Sequence, residues 1–236
     1  MRCAWEYNGN DTLIYSIDFV GAYARGESLE IAAAKMEEEI RAYAAWAGAC
    51  CDENMELSIV QEKSSDLQIA DADSDILLNS EKAPLTMEEY EALKMLVLKS
   101  AGDFHALYDS VPQKDVSCLP ERRTFYGKVP RTAREMYEHT KNVNAYYFGE
   151  IGIETDNEGT ILESRQRGFE QLEQMPGFLE NPVLDGSYGE HWTLRKVMRR
   201  FLWHDRIHGK AMYRMAMKTF GAFGAENIFQ FPENNR

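Results

Sequence analysis

The sequence predicts an α+β protein: a small N-terminal βββαβ domain followed by a four-helix bundle. Three observations predict it. The first sixty or so positions hold short runs rich in Tyr, Ile and Phe, interrupted by turn residues and by one helical segment. From Pro84 onward apolar residues recur every three or four positions, the period of a helix with one buried face. Between them, residues 63–84 (KSSDLQIADADSDILLNSEKAP) are polar and acidic with no sustained period, the mark of a boundary. The expected division is 1–80 for the α+β unit with its acidic linker and 81–236 for the helical domain.

Each element has a local cause. RCAWEY and TLIYSIDF flank NGND, whose Asn8-Gly9 pair supplies the positive φ of a tight hairpin. AYARG reads as a third strand ending at Gly26. In SLEIAAAKMEEEIRAYAAWAG, Ser28 is an N-cap and Gly48 a stop, with Ile31, Ala34, Ile40 and Trp46 between them. MELSIVQE alternates as a fourth strand, and DILLN is a candidate for a short one. In the second half, Thr86 and Glu89 form a capping box ahead of a helix that keeps its apolar spacing to Leu107. Pro130 precedes a second helix, RTAREMYEHTKNVNAYYFGEIG, expected to run unbroken to Gly152. ILESRQRGFEQLEQM is a third helix, closed by Pro176-Gly177. WTLRKVMRRFLWHDRIHGKAMYRMAMKTFG is a fourth, of roughly 27 residues before Gly221. The tail FQFPENNR reads as peripheral.

Composition excludes several classes. With 44% hydrophobic and 28% charged residues the 236-residue chain has the makeup of a globular protein of one or two domains. No apolar run approaches the roughly 20 residues of a membrane span, and MRCAWEYNGND lacks the apolar core of a signal peptide, so the cytoplasm is the expected location. Cys3, Cys50, Cys51 and Cys118 have neither Cys-x-x-Cys spacing nor a disulfide framework and read as reduced thiols. A formal charge of −13 argues against a nucleic-acid partner. The charge is uneven: residues 1–80 carry 16 acidic against 5 basic side chains, residues 190–220 only 2 against 8.

The fourth helix carries the chemistry. Its stripe Leu194, Val197, Phe201, His204, His208, Ala211, Met215 turns two imidazoles toward the face that the apolar residues bury. Positions i and i+4 sit about 40° apart around the axis and about 6 Å along it, so both rings converge on one point. Met136, His139, Val143 and Tyr147 form a comparable stripe on the second helix and aim a third imidazole inward. Neutral imidazole suits zinc, nickel, copper or iron, and three such ligands leave a position open for water or substrate. Three histidines hydrogen-bonded within a core would give the same pattern. His204-Asp205-x-x-His208 approaches the zincin pattern His-Glu-x-x-His, but Asp is one methylene shorter. Glu138 and Asp205 adjoin ligands in sequence, yet one residue turns a side chain about 100° away, toward the surface or the surroundings of the site. Arg206 and Lys210 read as a solvated basic face or as holders of an anionic substrate. Trp192, Trp203, Met212, Met215 and Met217 read as packing.

On these residues, RTAREMYEHTKNVNAYYFGEIG and FLWHDRIHGKAMYR resemble the second and fourth helices of the DinB/YfiT-like proteins, a bacterial four-helix-bundle family. The likeness covers about residues 85–220. It implies a divalent metal, zinc or nickel, held by His139, His204 and His208, and metal-assisted chemistry with a low-molecular-weight thiol such as mycothiol or bacillithiol. The first domain resembles the fold of HicB-type antitoxins through SIDFVGAYARGESLEIAAAKMEEEIRAY, at Asp18, Gly21, Gly26, Glu27, Ser28 and Glu30. The Pro-Asp-Leu-Pro-Gly element is reduced to IDFVG, and no DNA-binding tail follows.

The expected function is thus a metal-dependent S-transferase or hydrolase acting on a small-molecule substrate. The alternative is a non-catalytic binding module whose acidic first domain docks a protein partner. Neither nucleic acid nor membrane is an expected partner, and a homodimer is compatible with a bundle that leaves an apolar face over.

Overall fold

The Asn8–Asp11 turn folds β1 (Arg2–Asn8) back on β2 (Asp11–Ser16), pairing Cys3 with Ser16 and Asn8 with Asp11. β3 (Tyr23–Gly26) pairs antiparallel with β2, and after α1 (Leu29–Ala47) the chain returns as β4 (Ser58–Ser64), parallel to β1. The computed structural model, which describes residues 1–52 and 55–232, thus opens on a four-stranded sheet of order β3-β2-β1-β4. The last four residues of the tail lie outside the described residues. Ser28 caps α1 by accepting from the Ile31 amide, and Gly48 closes it in the left-handed region, as the sequence predicts.

Both faces of this sheet are covered. Alternation along the strands turns Cys3, Ile14 and Ala24 to one face and Ala4, Leu13, Tyr15 and Tyr23 to the other. The first set joins Ala32, Met36 and Ile40 of α1 in a core that continues into the helical half. The second is sealed by Ile69, Ile76 and Leu78 from the acidic segment and by Trp203. No strand forms at DILLN: Ile76 and Leu78 serve as plugs, and Asn79–Lys82 form a 3-10 turn.

The helical half begins with α2 (Met87–Ser110), whose Thr86 and Glu89 form the expected capping box. A two-residue hairpin, β5 (Arg123–Thr124) with β6 (Gly127–Lys128), then leads to α3 (Ala133–Lys141). The helix expected to run unbroken to Gly152 is interrupted, and α4 (Asn144–Gly149) is a separate piece. The cause is a side chain: Asn157 accepts from the Ala145 amide (2.9 Å) and donates to the Asn142 carbonyl (3.2 Å), taking over groups of the helical ladder. α5 (Ile161–Leu172), a second short hairpin of β7 (Leu184–Asp185) and β8 (His191–Trp192), and α6 (Leu194–Phe220) complete the described elements. α2 packs on α5 and α6, and α3 packs on α6. No helix among the described residues is long and apolar enough to cross a membrane, and all four cysteines are free.

The 27 residues of α6 extend about 40 Å and touch both halves. The uneven charge of the sequence is resolved along it. Arg206 and Lys210 both bond Glu39 of α1 at 2.8 Å, Arg199 pairs with Glu81, and Lys196 pairs with Glu190 at 2.8 Å. Arg206 is fully buried, its guanidinium 4.9 Å from the Tyr43 ring and 5.3 Å from that of Phe231. Neither expected role, solvated face or substrate clamp, therefore fits Arg206, and Lys210, half-buried against Glu39, is not a solvated face. The tail is likewise not peripheral at Phe229 and Phe231, which are buried, with Phe229 stacked on Trp46. Trp192 and Trp203 are core residues, as expected.

At Gly21, before β3, φ is +92° and an added Cβ would lie 2.4 Å from the Leu202 Cβ, so the turn lies flush on α6 only without a side chain. Gly21→Ala is expected to lower stability by about 2–4 kcal/mol through overpacking and left-handed strain. Urea unfolding checks it, and a midpoint unchanged from wild type would contradict this contact.

Candidate metal centre

α6 continues its apolar stripe through the two histidines. Leu194, Val197, Phe201 and Met215 are buried, and His204, at 7% exposure, lies among them. His208 is half-buried one turn further on, where the core opens. His139 comes from the last turn of α3, a nine-residue helix held at its start by the reciprocal Thr132 and Glu135 capping box. The site needs α3 to start there, because a short helix owes its position to its caps and its docking.

The three sequence-predicted ligands meet. One nitrogen from each of His139, His204 and His208 lies within 4.8 Å of the others, and the ring centroids are 4.5–5.1 Å apart. Nitrogens of a tetrahedral site at 2.0–2.1 Å from zinc are about 3.3 Å apart, so small side-chain rotations bring these three to bonding distance. The chemistry of the set also fits. Loss of hydration lowers the pKa of all three imidazoles: His208 falls to about 3 and His204 well below its ordinary value, with His139 opposing protonation of both and His208 that of His204. They are therefore neutral donors at pH 7. The buried Nδ1 of His204 has no hydrogen-bond partner among the protein's atoms, unlike a histidine that merely completes a core. The chain's other two histidines are engaged elsewhere: His105 Nδ1 meets the Tyr137 hydroxyl at 2.9 Å, and His191 meets Asp185 at 3.0 Å.

The surroundings differ from expectation at Asp205. It is fully buried and accepts two bonds from Arg165 of α5, at 2.6 and 3.1 Å. Burial pushes its carboxyl up against the pull of that guanidinium. Arg165 lies in turn over the Phe201 ring at 4.2 Å, so the ion pair pins α5 to α6 behind the histidines. Neither carboxylate next to a ligand faces the three rings as a general base would: Glu138 is exposed and pairs with Lys141.

A cavity of about 1020 Å³ opens at His208. Pro130, Met136, Ile207 and Met215 give it apolar walls, and its charged lining is Arg122, Arg131, Arg214 and Lys218, with no acidic residue. A smaller cleft of about 440 Å³, walled in part by Tyr23 and Arg25 of β3, shares Arg122, Ile207, Ala211 and Arg214 with it. Sequence reasoning missed these cations. For two of them a signal existed, since Arg214 and Lys218 lie four residues apart on one face of α6. Arg122 and Arg131 lie in loops, where periodicity carries nothing.

No known family model, curated protein or solved structure matches this chain.

Two outcomes follow. In metal-free protein the unfolded chain takes up protons below pH of about 6.5 that the folded histidines refuse. Their stability contribution is therefore present above that pH and declines below it, down to about 3 where His208 itself protonates. Between about pH 6 and pH 4 His208 is expected to contribute a slope of up to about 1.4 kcal/mol per pH unit, which His208→Gln should remove. Denaturant titrations with a chelator present measure it, and identical slopes would refute it. Asp205→Asn, which leaves Arg165 buried without a counter-charge, should cost about 3–5 kcal/mol, whereas the paired change Asp205→Leu with Arg165→Met should recover most of that loss.

Proposed function

We propose that the protein is a divalent-metal-dependent enzyme of the DinB/YfiT-like type, with its helical half built as that family's four-helix bundle and with His139, His204 and His208 as ligands. The observation that carries the reading is the convergence of three neutral imidazoles from two helices, within 4.8 Å, with one of them, His208, lining a large cavity. A divalent ion in such a site supplies Lewis acidity and lowers the pKa of a thiol or water at its open position. Zinc or nickel suits an all-imidazole set.

The chain's own residues account for the rest. His204 and His208, fixed on one long helix, hold two donors at a set spacing, and His139 completes the set from α3. The apolar walls exclude water from one side, where a low-molecular-weight thiol and its acceptor have room to meet. Arg165 and Asp205 hold α6 in register behind the rings.

For the N-terminal unit we read a HicB-like fold, supported by the strand order and the parallel β1 and β4. An antitoxin-like docking role has less support, because Glu39 of that half is engaged by Arg206 and Lys210 rather than displayed.

Elemental analysis of untagged protein tests the reading. One equivalent of metal per chain is expected, retained in His105→Ala and lost in His139→Ala, His204→Ala and His208→Ala. A thiol-transfer screen with the loaded protein then addresses the reaction. Absence of stoichiometric metal, or full occupancy in His204→Ala, would sink the proposal.

A further inference from the structure

We infer that the substrate of this site carries an anionic head group at the end remote from the histidines, and that Arg131 and Lys218 recognise it. The inference rests on the metal-site reading above for the role of the inner end only. The outer end is argued from the cavity itself.

The cavity runs along two helices. On α6, His208 and Lys218 are ten residues apart, which is about 15 Å of helix, and Arg214 lies between them at about 9 Å. On the other wall Arg131 stands one residue ahead of the N-cap of α3, roughly 12 Å along the chain from His139. α3 and α6 pack against each other with the histidines meeting at one end, so both helices carry their cations to the opposite end of the same space. Between the two ends Met136 and Met215 give apolar lining beside Arg214.

The composition of that lining is the second observation. The chain has 39 acidic and 26 basic residues, yet the four charged residues around this cavity are all basic. Elsewhere on α6 buried or half-buried cations are matched by carboxylates, as Arg199 is by Glu81 and Arg206 by Glu39. Here Arg122 pairs with Asp71, and Lys218 is exposed. Arg131 lines the cavity and is only half-buried, so its charge lies at the wall rather than in the core. The local field is positive in a protein that is negative overall, so it selects an anion at the site rather than at long range.

An occupant matching both features is an amphipathic molecule with an apolar body spanning about 10–15 Å and a carboxylate at its outer end. Isothermal titration calorimetry with 8-mercaptooctanoate, its neutral counterpart 8-mercapto-1-octanol and the short 3-mercaptopropionate tests this on metal-loaded and on metal-free full-length protein. The long acid is expected to bind at least tenfold more tightly than the long alcohol in both forms. In Arg131→Gln/Lys218→Gln that preference should fall below twofold, with the metal content unchanged. The short acid, unable to span the cavity, should show no loss in the double variant. Equal binding of long acid and alcohol, or a preference that survives the double substitution, would overturn the inference. A protein that retains no metal but still prefers the long acid would overturn the proposed function and leave the anion site standing. A preference confined to the metal-loaded form would place the carboxylate on the metal and overturn the inference alone.

Discussion

The structure depends on how α6 disposes of its charge. A helix that lies against a sheet on one side and against three helices on the other has almost no solvated face, yet this one carries eight basic residues between Arg195 and Lys218. Burying a cation without a partner is prohibitive. Each buried one is therefore tied to a fixed acceptor: Lys196 to Glu190, Arg199 to Glu81, and Arg206 with Lys210 to Glu39. Two-pronged pairing sets rotation as well as position. With α6 held in rotation, the histidine stripe has one direction in which to point, and the sheet, the acidic segment and α1 acquire fixed places against it. Such pairs contribute little net stability compared with apolar packing, and their effect is on uniqueness.

That arrangement explains which features could be read in the chain. Caps and periodicities are local, so Ser28, Thr86 with Glu89, and the full extent of α6 were legible, and so was the convergence of the three histidines. The partners of charged residues were not. Arg206 and Lys210 look like a solvated face because hydropathy registers charge and not the carboxylate 167 or 171 positions away that neutralises it. Asp205 does lie in the surroundings of the site, but its counter-ion on α5 was not legible. The break after Lys141 escaped detection because Asn157, fifteen residues on from Asn142, makes it. Phe229 and Phe231 form too short a stretch for a periodic signal and are buried by Trp46 and α6 instead.

The same long-range pairing ties the N-terminal sheet to the chemistry of the helical half. Glu39 holds residues on either side of His208 in sequence, and Gly21 meets the backbone at Leu202 and Trp203, just before His204. The N-terminal half thus braces the segment that bears two of the three imidazoles. It also contributes Tyr23 and Arg25 to the cleft adjoining the main cavity.

The three imidazoles are not equivalent in how firmly they are held, and this asymmetry bears on exchange kinetics. His204 and His208 ride on a helix clamped along its length, while His139 is exposed, on the last turn of a nine-residue helix that ends where Asn157 interrupts the ladder. For any ion taken up, the α6 pair forms a standing bidentate port and His139 the latch that closes over it. Release would then begin at the latch, and the lifetime of the bound ion would be governed by the fraying of α3 rather than by the strength of the two buried bonds.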